Sequence, residues 1–191
     1  MPCPQMQALD CDTVSRLGIM IKLKRIRTFA IAAAVTVAMG ACDSVDDDRI
    51  PYAPVHLSFA TVADWLQWGV AEESAGARTY VYTPGSRNNI PSGYPYKAAD
   101  ATGFGGLLLV TDVLGSPVAY DLSCPYEARR DVRIEIPQDE LFARCPKCGS
   151  TYDVFTNHGY PMSGPAAEHG YALQRYSVTS GGALEYRVVT R

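Results

Sequence analysis

The chain is 191 residues long, 47% hydrophobic and 19% charged, with 17 Lys and Arg against 20 Asp and Glu. Past residue 41 the balance falls to 12 basic against 18 acidic side chains, which argues against a nucleic-acid partner. The sequence contains no Gly-rich phosphate loop, no Gly-x-Ser-x-Gly elbow and no His-Glu-x-x-His pattern. Hydrolase and nucleotide-binding chemistry therefore lack their residues, and no independent catalytic centre is expected.

From Met20 the chain runs Ile21-Lys22-Leu23-Lys24-Arg25-Ile26-Arg27 and then carries no charge from Thr28 to Ala41. The apolar run is shorter than the roughly 20 residues that a permanent membrane span needs. Phe29 to Met39 also lacks the polar period of a buried amphipathic helix, Thr36 standing alone. A basic start, an apolar run and small residues in that order make a secretory leader over residues 1–41. Translation is expected to start at Met20, leaving Cys3 and Cys11 without function. Met39-Gly40-Ala41-Cys42 resembles the bacterial lipobox. That resemblance implies cleavage before Cys42, a diacylglyceryl thioether on its sulfur and attachment of the mature protein to a membrane. Residues 42–53 are expected to be an acidic, solvated tether, because Asp43, Asp46, Asp47 and Asp48 crowd one short segment. Acids close after the lipidated cysteine also resemble the export signal of Bacteroidetes surface lipoproteins, which implies the outer membrane or cell surface.

Residues 54–191 have the length of one domain. Val55 to Phe59 alternates as a first strand, Ala63 to Val70 reads as a short helix or a strand, and Arg78 to Tyr82 reads as a strand. Pro84 to Gly103, rich in Gly, Pro, Ser and Asn, reads as a long loop. Gly106 to Thr111 is a buried strand, Gly115-Ser116 a turn, and Pro117 to Asp121 the returning strand. Val132 to Ile136, Leu141 to Arg144, Thr151 to Phe155, Tyr171 to Val178 and Ala183 to Val189 complete the series, with Thr179-Ser180-Gly181-Gly182 as a hairpin turn. Short strands between turn residues, without a sustained helical period, predict an all-β fold, an antiparallel sandwich or barrel with long loops.

Two loops carry three cysteines, Cys124-Pro125-Tyr126 and Cys145-Pro146-Lys147-Cys148-Gly149. A C-x-x-C knuckle facing a second cysteine loop is a common way to aim thiolates at iron or zinc. The surrounding order resembles the Rieske iron–sulfur domain: a leading hairpin from Gly106 to Asp121, the Cys124 loop, then Cys145-Pro146-Lys147-Cys148-Gly149-Ser150. Tyr152-Asp153, Gly164-Pro165-Ala166 and a closing hairpin from Leu173 to Val189 follow. The resemblance covers roughly the last 90 residues and implies a [2Fe-2S] cluster, one-electron transfer and a redox protein partner.

Cys124 and Cys145 fall where the Rieske family has its thiolate ligands, while Tyr126 and Cys148 fall where it has its two histidines. The resemblance thus implies Cys124, Tyr126, Cys145 and Cys148 as ligands of an atypical cluster. Replacing two imidazoles with anionic groups would lower the potential from the Rieske range towards the roughly −400 mV of plant-type ferredoxins. Two other readings stay open. One is a metal-free scaffold or binding module at the cell surface held by a disulfide, as an oxidising exported compartment permits. The other is a structural zinc held by three thiolates and a histidine. His56 and His158 read as structural or turn residues, and His169, close after the Gly-Pro-Ala loop, is the histidine placed to supply an imidazole.

Overall fold

The computed structural model describes residues 45–71, 75–138, 140–180 and 186–190, of which 186–189 are described by backbone alone. The leader, Cys42 and the turn glycines Gly181 and Gly182 lie outside the described residues. The fold is all-β, with two short helices among the described residues. Its elements are β1 (Val55–Phe59), α1 (Val62–Trp68), β2 (Ala77–Tyr80), β3 (Ala101–Thr102), β4 (Leu107–Thr111), β5 (Pro117–Asp121) and β6 (Ala143–Arg144). β7 (Thr151–Asp153), β8 (Tyr160–Ser163), α2 (Pro165–His169), β9 (Arg175–Ser180) and β10 (Tyr186–Val189) complete it.

Seven strands form one antiparallel sheet in the order β2-β4-β5-β9-β10-β1-β3, and β6-β7-β8 form a second, small one. β9 is shared along its length. Arg175 and Tyr176 pair with Tyr120 and Ala119 of β5, while Ser177 to Ser180 pair with β10. Thr179 and Ser180, expected in the hairpin turn, are the last residues of this strand.

β4 explains why its sequence is an unbroken apolar run. Both of its faces are covered, Leu107 and Leu109 by one core with Leu57, Phe59, Trp65 and Tyr80, and Leu108 and Val110 by another. The second core also contains Tyr120, Leu122, Ile134, Tyr152, Leu173, Cys124 and Cys145. The cysteine loops are therefore seated on packed hydrophobic side chains.

α1 settles the choice left open at Ala63–Val70. The Thr61 side chain accepts the Asp64 N–H as an N-cap, and the helix buries Trp65 edge-on against Phe59, 5.2 Å between ring centroids. The segment Val132 to Ile136 is not a regular strand. It makes single bridges, Arg133 with Ser123 and Glu135 with Arg144, because it serves two different stems rather than one partner. The strand expected over Leu141 to Arg144 shrinks to Ala143–Arg144, and the one expected from Tyr171 starts at Arg175. The long loop from Pro84 contains a bridge from Ile90 to Val81 and ends in β3.

The acidic segment is docked from Asp46 onward. The Asp46 N–H donates to the Gly170 carbonyl at 2.8 Å, its carbonyl accepts from Ala172 at 2.9 Å, and Ile50 and Ala53 are buried. Among the described residues no helix is long and apolar enough to cross a membrane.

Candidate metal centre

Both cysteines that open the loops follow directly on a bridged residue. Ser123 pairs with Arg133 and Arg144 pairs with Glu135, two residues further along the same segment. One extended segment thus holds the two loop stems side by side. Backbone pairing continues to the cysteines themselves, since Cys124 N–H donates to the Val132 carbonyl at 3.0 Å and Cys145 N–H to the Ser150 carbonyl at 2.9 Å.

The result is a compact donor group. The sulfurs of Cys124, Cys145 and Cys148 all lie within 4.8 Å of one another, close enough to hold a metal ion. All three are free thiols, with Cys124 and Cys145 buried and Cys148 partly so. The sulfurs of Cys124 and Cys148 are 3.6 Å apart, against about 2.05 Å in a disulfide. A tetrahedral ion with metal–sulfur bonds of about 2.3 Å separates its thiolates by about 3.8 Å, so this pair stands close to one edge of such a tetrahedron. Three soft donors gathered in an apolar setting suit iron or zinc and not the hard cations magnesium or calcium.

The surroundings act on the thiols in opposite directions. Burial pushes Cys124 up to about 12, although the Tyr152 hydroxyl, 3.4 Å from its sulfur, and the Glu127 N–H favour the thiolate. Burial also raises Cys145, against the N–H groups of Cys148 and Lys147. Cys148 is lowered: partial burial opposes ionisation, but the Ser150 hydroxyl and N–H and the neighbouring thiols outweigh it. The same Ser150 oxygen lies 3.2 Å from the Cys148 sulfur and accepts the Ala166 N–H at 3.0 Å. Ser150 thereby ties the second loop to α2. Gly164 caps α2 at φ +78°, where a Cβ would stand 2.9 Å from the Ser150 Cα, so glycine is what lets the two segments approach.

Three of the four expected ligands, Cys124, Cys145 and Cys148, are brought together. Tyr126 is 38% exposed, with its ring stacked on His169 at 5.9 Å between centroids. The phenol at a cysteine sulfur is that of Tyr152, a buried strand residue that sequence reasoning noted only as part of a motif. His169 is outside the three-sulfur group. Its ring stacks with those of both Tyr126 and Tyr171, and the Arg49 guanidinium lies 4.4 Å from the Tyr171 ring centroid. His158 is a turn residue at φ +51°, and His56 faces Asp100 at 3.8 Å; neither belongs to the three-sulfur group.

No family model matches the chain, and no curated protein matches it. Fold and site together define an all-β protein with a three-cysteine group able to hold a metal ion.

Proposed function

We propose that the protein is a membrane-tethered, Rieske-like metal module that, with iron in its three-cysteine group, passes single electrons to a protein partner. The observation that carries this reading is the convergence of Cys124, Cys145 and Cys148 within 4.8 Å of one another. The order of parts supports the likeness to Rieske domains: a β4–β5 hairpin leads to the first loop, Tyr152-Asp153 follows the second, and Gly164-Pro165-Ala166 packs on Ser150.

Thiolate-bound iron supplies a reversible one-electron couple. The chain's own residues set its environment. The apolar core beneath the loops keeps water from Cys124 and Cys145, and the hydroxyls of Tyr152 and Ser150 lie 3.4 Å from the Cys124 sulfur and 3.2 Å from the Cys148 sulfur, where they can donate once the sulfurs are thiolates. The lipobox ending at Cys42 would hold the module at an envelope membrane, facing its partner.

A second reading, a structural zinc, is favoured by the 3.6 Å separation of two sulfurs, which suits one tetrahedral ion. Iron, zinc and acid-labile sulfide, measured per chain on protein purified without oxygen, separate the readings. Two irons with two sulfides give the [2Fe-2S] carrier, and one iron without sulfide gives a mononuclear one. One zinc removes electron transfer and leaves a structural site. A metal-free protein with one protected cysteine pair overturns the metal centre and leaves a scaffold.

A further inference from the structure

The two cysteine loops are copies of one backbone design. Each begins Cys-Pro, and in each the residue four positions on returns its N–H to the cysteine carbonyl: Ala128 to Cys124 at 2.8 Å and Gly149 to Cys145 at 3.0 Å. In both, that returning residue has a positive φ, +49° at Ala128 and +75° at Gly149. An alanine tolerates that region poorly, so the conformation at Ala128 is imposed by the loop. The sulfurs are served alike as well. The N–H of Glu127 favours the Cys124 thiolate as the N–H of Cys148 favours that of Cys145, each three residues after its cysteine.

Counted from the cysteine of each loop, Pro125 corresponds to Pro146, Tyr126 to Lys147 and Glu127 to Cys148. The position that supplies the third thiolate in one loop is therefore occupied in the other by a carboxylate, and Tyr126 corresponds to Lys147, a half-exposed side chain whose ammonium pairs with that carboxylate. The Glu127 side chain is only 13% exposed and pairs through Oε2 with Lys147, which spans from the second loop to the first. The carboxylate lies outside the three-sulfur group, and rotation of its side chain is what ligation would require.

We infer that Glu127, not Tyr126, is the fourth protein ligand, so that Cys124 and Glu127 from one loop and Cys145 and Cys148 from the other hold the metal. This rests on the metal-centre reading above. Carboxylate oxygen is an established partner of thiolate and imidazole at zinc and iron. Its second oxygen keeps Lys147 as a counter-charge beside a site that carries three thiolates and a carboxylate.

The test uses cobalt(II) as the metal, titrated without oxygen into the reduced, metal-free full chain and followed by its ligand-field and sulfur-to-cobalt charge-transfer absorption. Glu127→Gln should weaken cobalt binding by at least ~10-fold, the lower bound for losing even an outer partner of a metal ligand. Glu127→Cys should bind at least as tightly as the parent and add charge-transfer intensity for a fourth sulfur, and Tyr126→Phe should leave affinity and spectrum unchanged. Because Glu127→Cys gains a signal, it stays decisive if Glu127→Gln fails to fold. A Glu127→Cys spectrum identical to the parent's, or loss of binding in Tyr126→Phe, overturns the assignment of Glu127. A parent chain that takes up no cobalt overturns the metal centre itself and this assignment with it.

Discussion

Asp121 is the residue on which the geometry of the first cysteine loop depends, and Asp121→Asn is expected to destabilise the domain measurably. The carboxylate is fully buried. Its Oδ1 accepts the N–H groups of Gly105 at 3.0 Å and Ser123 at 2.7 Å, and its Oδ2 those of Phe104 at 2.7 Å and the Tyr176 hydroxyl at 2.7 Å. Asparagine is the same size but turns one of these acceptors into a donor. With the nitrogen in the Oδ1 place the Gly105 and Ser123 N–H groups face an N–H; in the Oδ2 place only the Phe104 N–H does, because the Tyr176 hydroxyl can turn to accept. The cheaper arrangement leaves one unsatisfied buried donor, a loss of about 1–3 kcal/mol, set against a whole-domain stability of about 5–15 kcal/mol. Urea unfolding of the reduced, metal-free chain reads this directly. With a slope of about 2 kcal/mol/M the midpoint should fall by about 0.5–1.5 M. Tyr176→Phe, which removes one donor and leaves three, should cost about 1 kcal/mol. A shift below about 0.5 kcal/mol for Asp121→Asn, at unchanged slope, would refute the role given to this carboxylate.

Cys42→Ala should abolish incorporation of labelled fatty acid and release the protein from membranes, and persistent labelling would sink the lipoprotein reading. Metal affinity should climb steeply with pH. Burial holds Cys124 up at about 12 and Cys145 above its ordinary value, so both give up a proton on binding, whereas the lowered Cys148 does so only below its own shifted value. Chelator competition between pH 6 and 8 should show about two to three decades of affinity per pH unit, and a flat profile would contradict buried thiols as ligands. For the metal-free fold the sign is opposite. A thiol raised on folding favours the native state below its ordinary value near 9.0, and that contribution is lost as pH climbs towards about 12. In the iron-loaded chain, Tyr152→Phe removes the hydroxyl from the Cys124 sulfur and should lower the potential by roughly 60 mV, the one-electron equivalent of about 1.4 kcal/mol. An unchanged potential would mean that the Tyr152 hydroxyl leaves that sulfur when metal binds.

The fold class was legible because β4, β5 and their turn carry period, apolarity and turn residues in agreement, and the three cysteines were legible because a Cys-Pro knuckle is a local signal. Less local features escaped. β8 contains Pro161 and exposed Met162, so its sequence Tyr160-Pro161-Met162-Ser163 has no strand pattern, and only pairing with β7 makes it one. The helix at Pro165–His169 hid within what read as a Gly-Pro-Ala loop, although proline at a first helical position after glycine is a start signal. Val132 to Ile136 has the alternation of a strand, but its bridges are split between two loop stems. The acidic tether read as solvated throughout because charge density says nothing about the backbone pairing of Asp46 with Tyr171. At the site, the Rieske pattern drew attention to Tyr126 at the second position after its cysteine. The match of Glu127 to Cys148 rests on backbone hydrogen bonds and positive φ values that a sequence does not display.

Whether Cys124, Cys145 and Cys148 share one metal centre is read by X-ray absorption at the metal edge of the full chain, purified without oxygen. A sulfur shell at about 2.3 Å is expected, losing scatterers in Cys124→Ser and again in Cys148→Ser. A chain that carries no metal, or a metal with only nitrogen and oxygen neighbours, would contradict it.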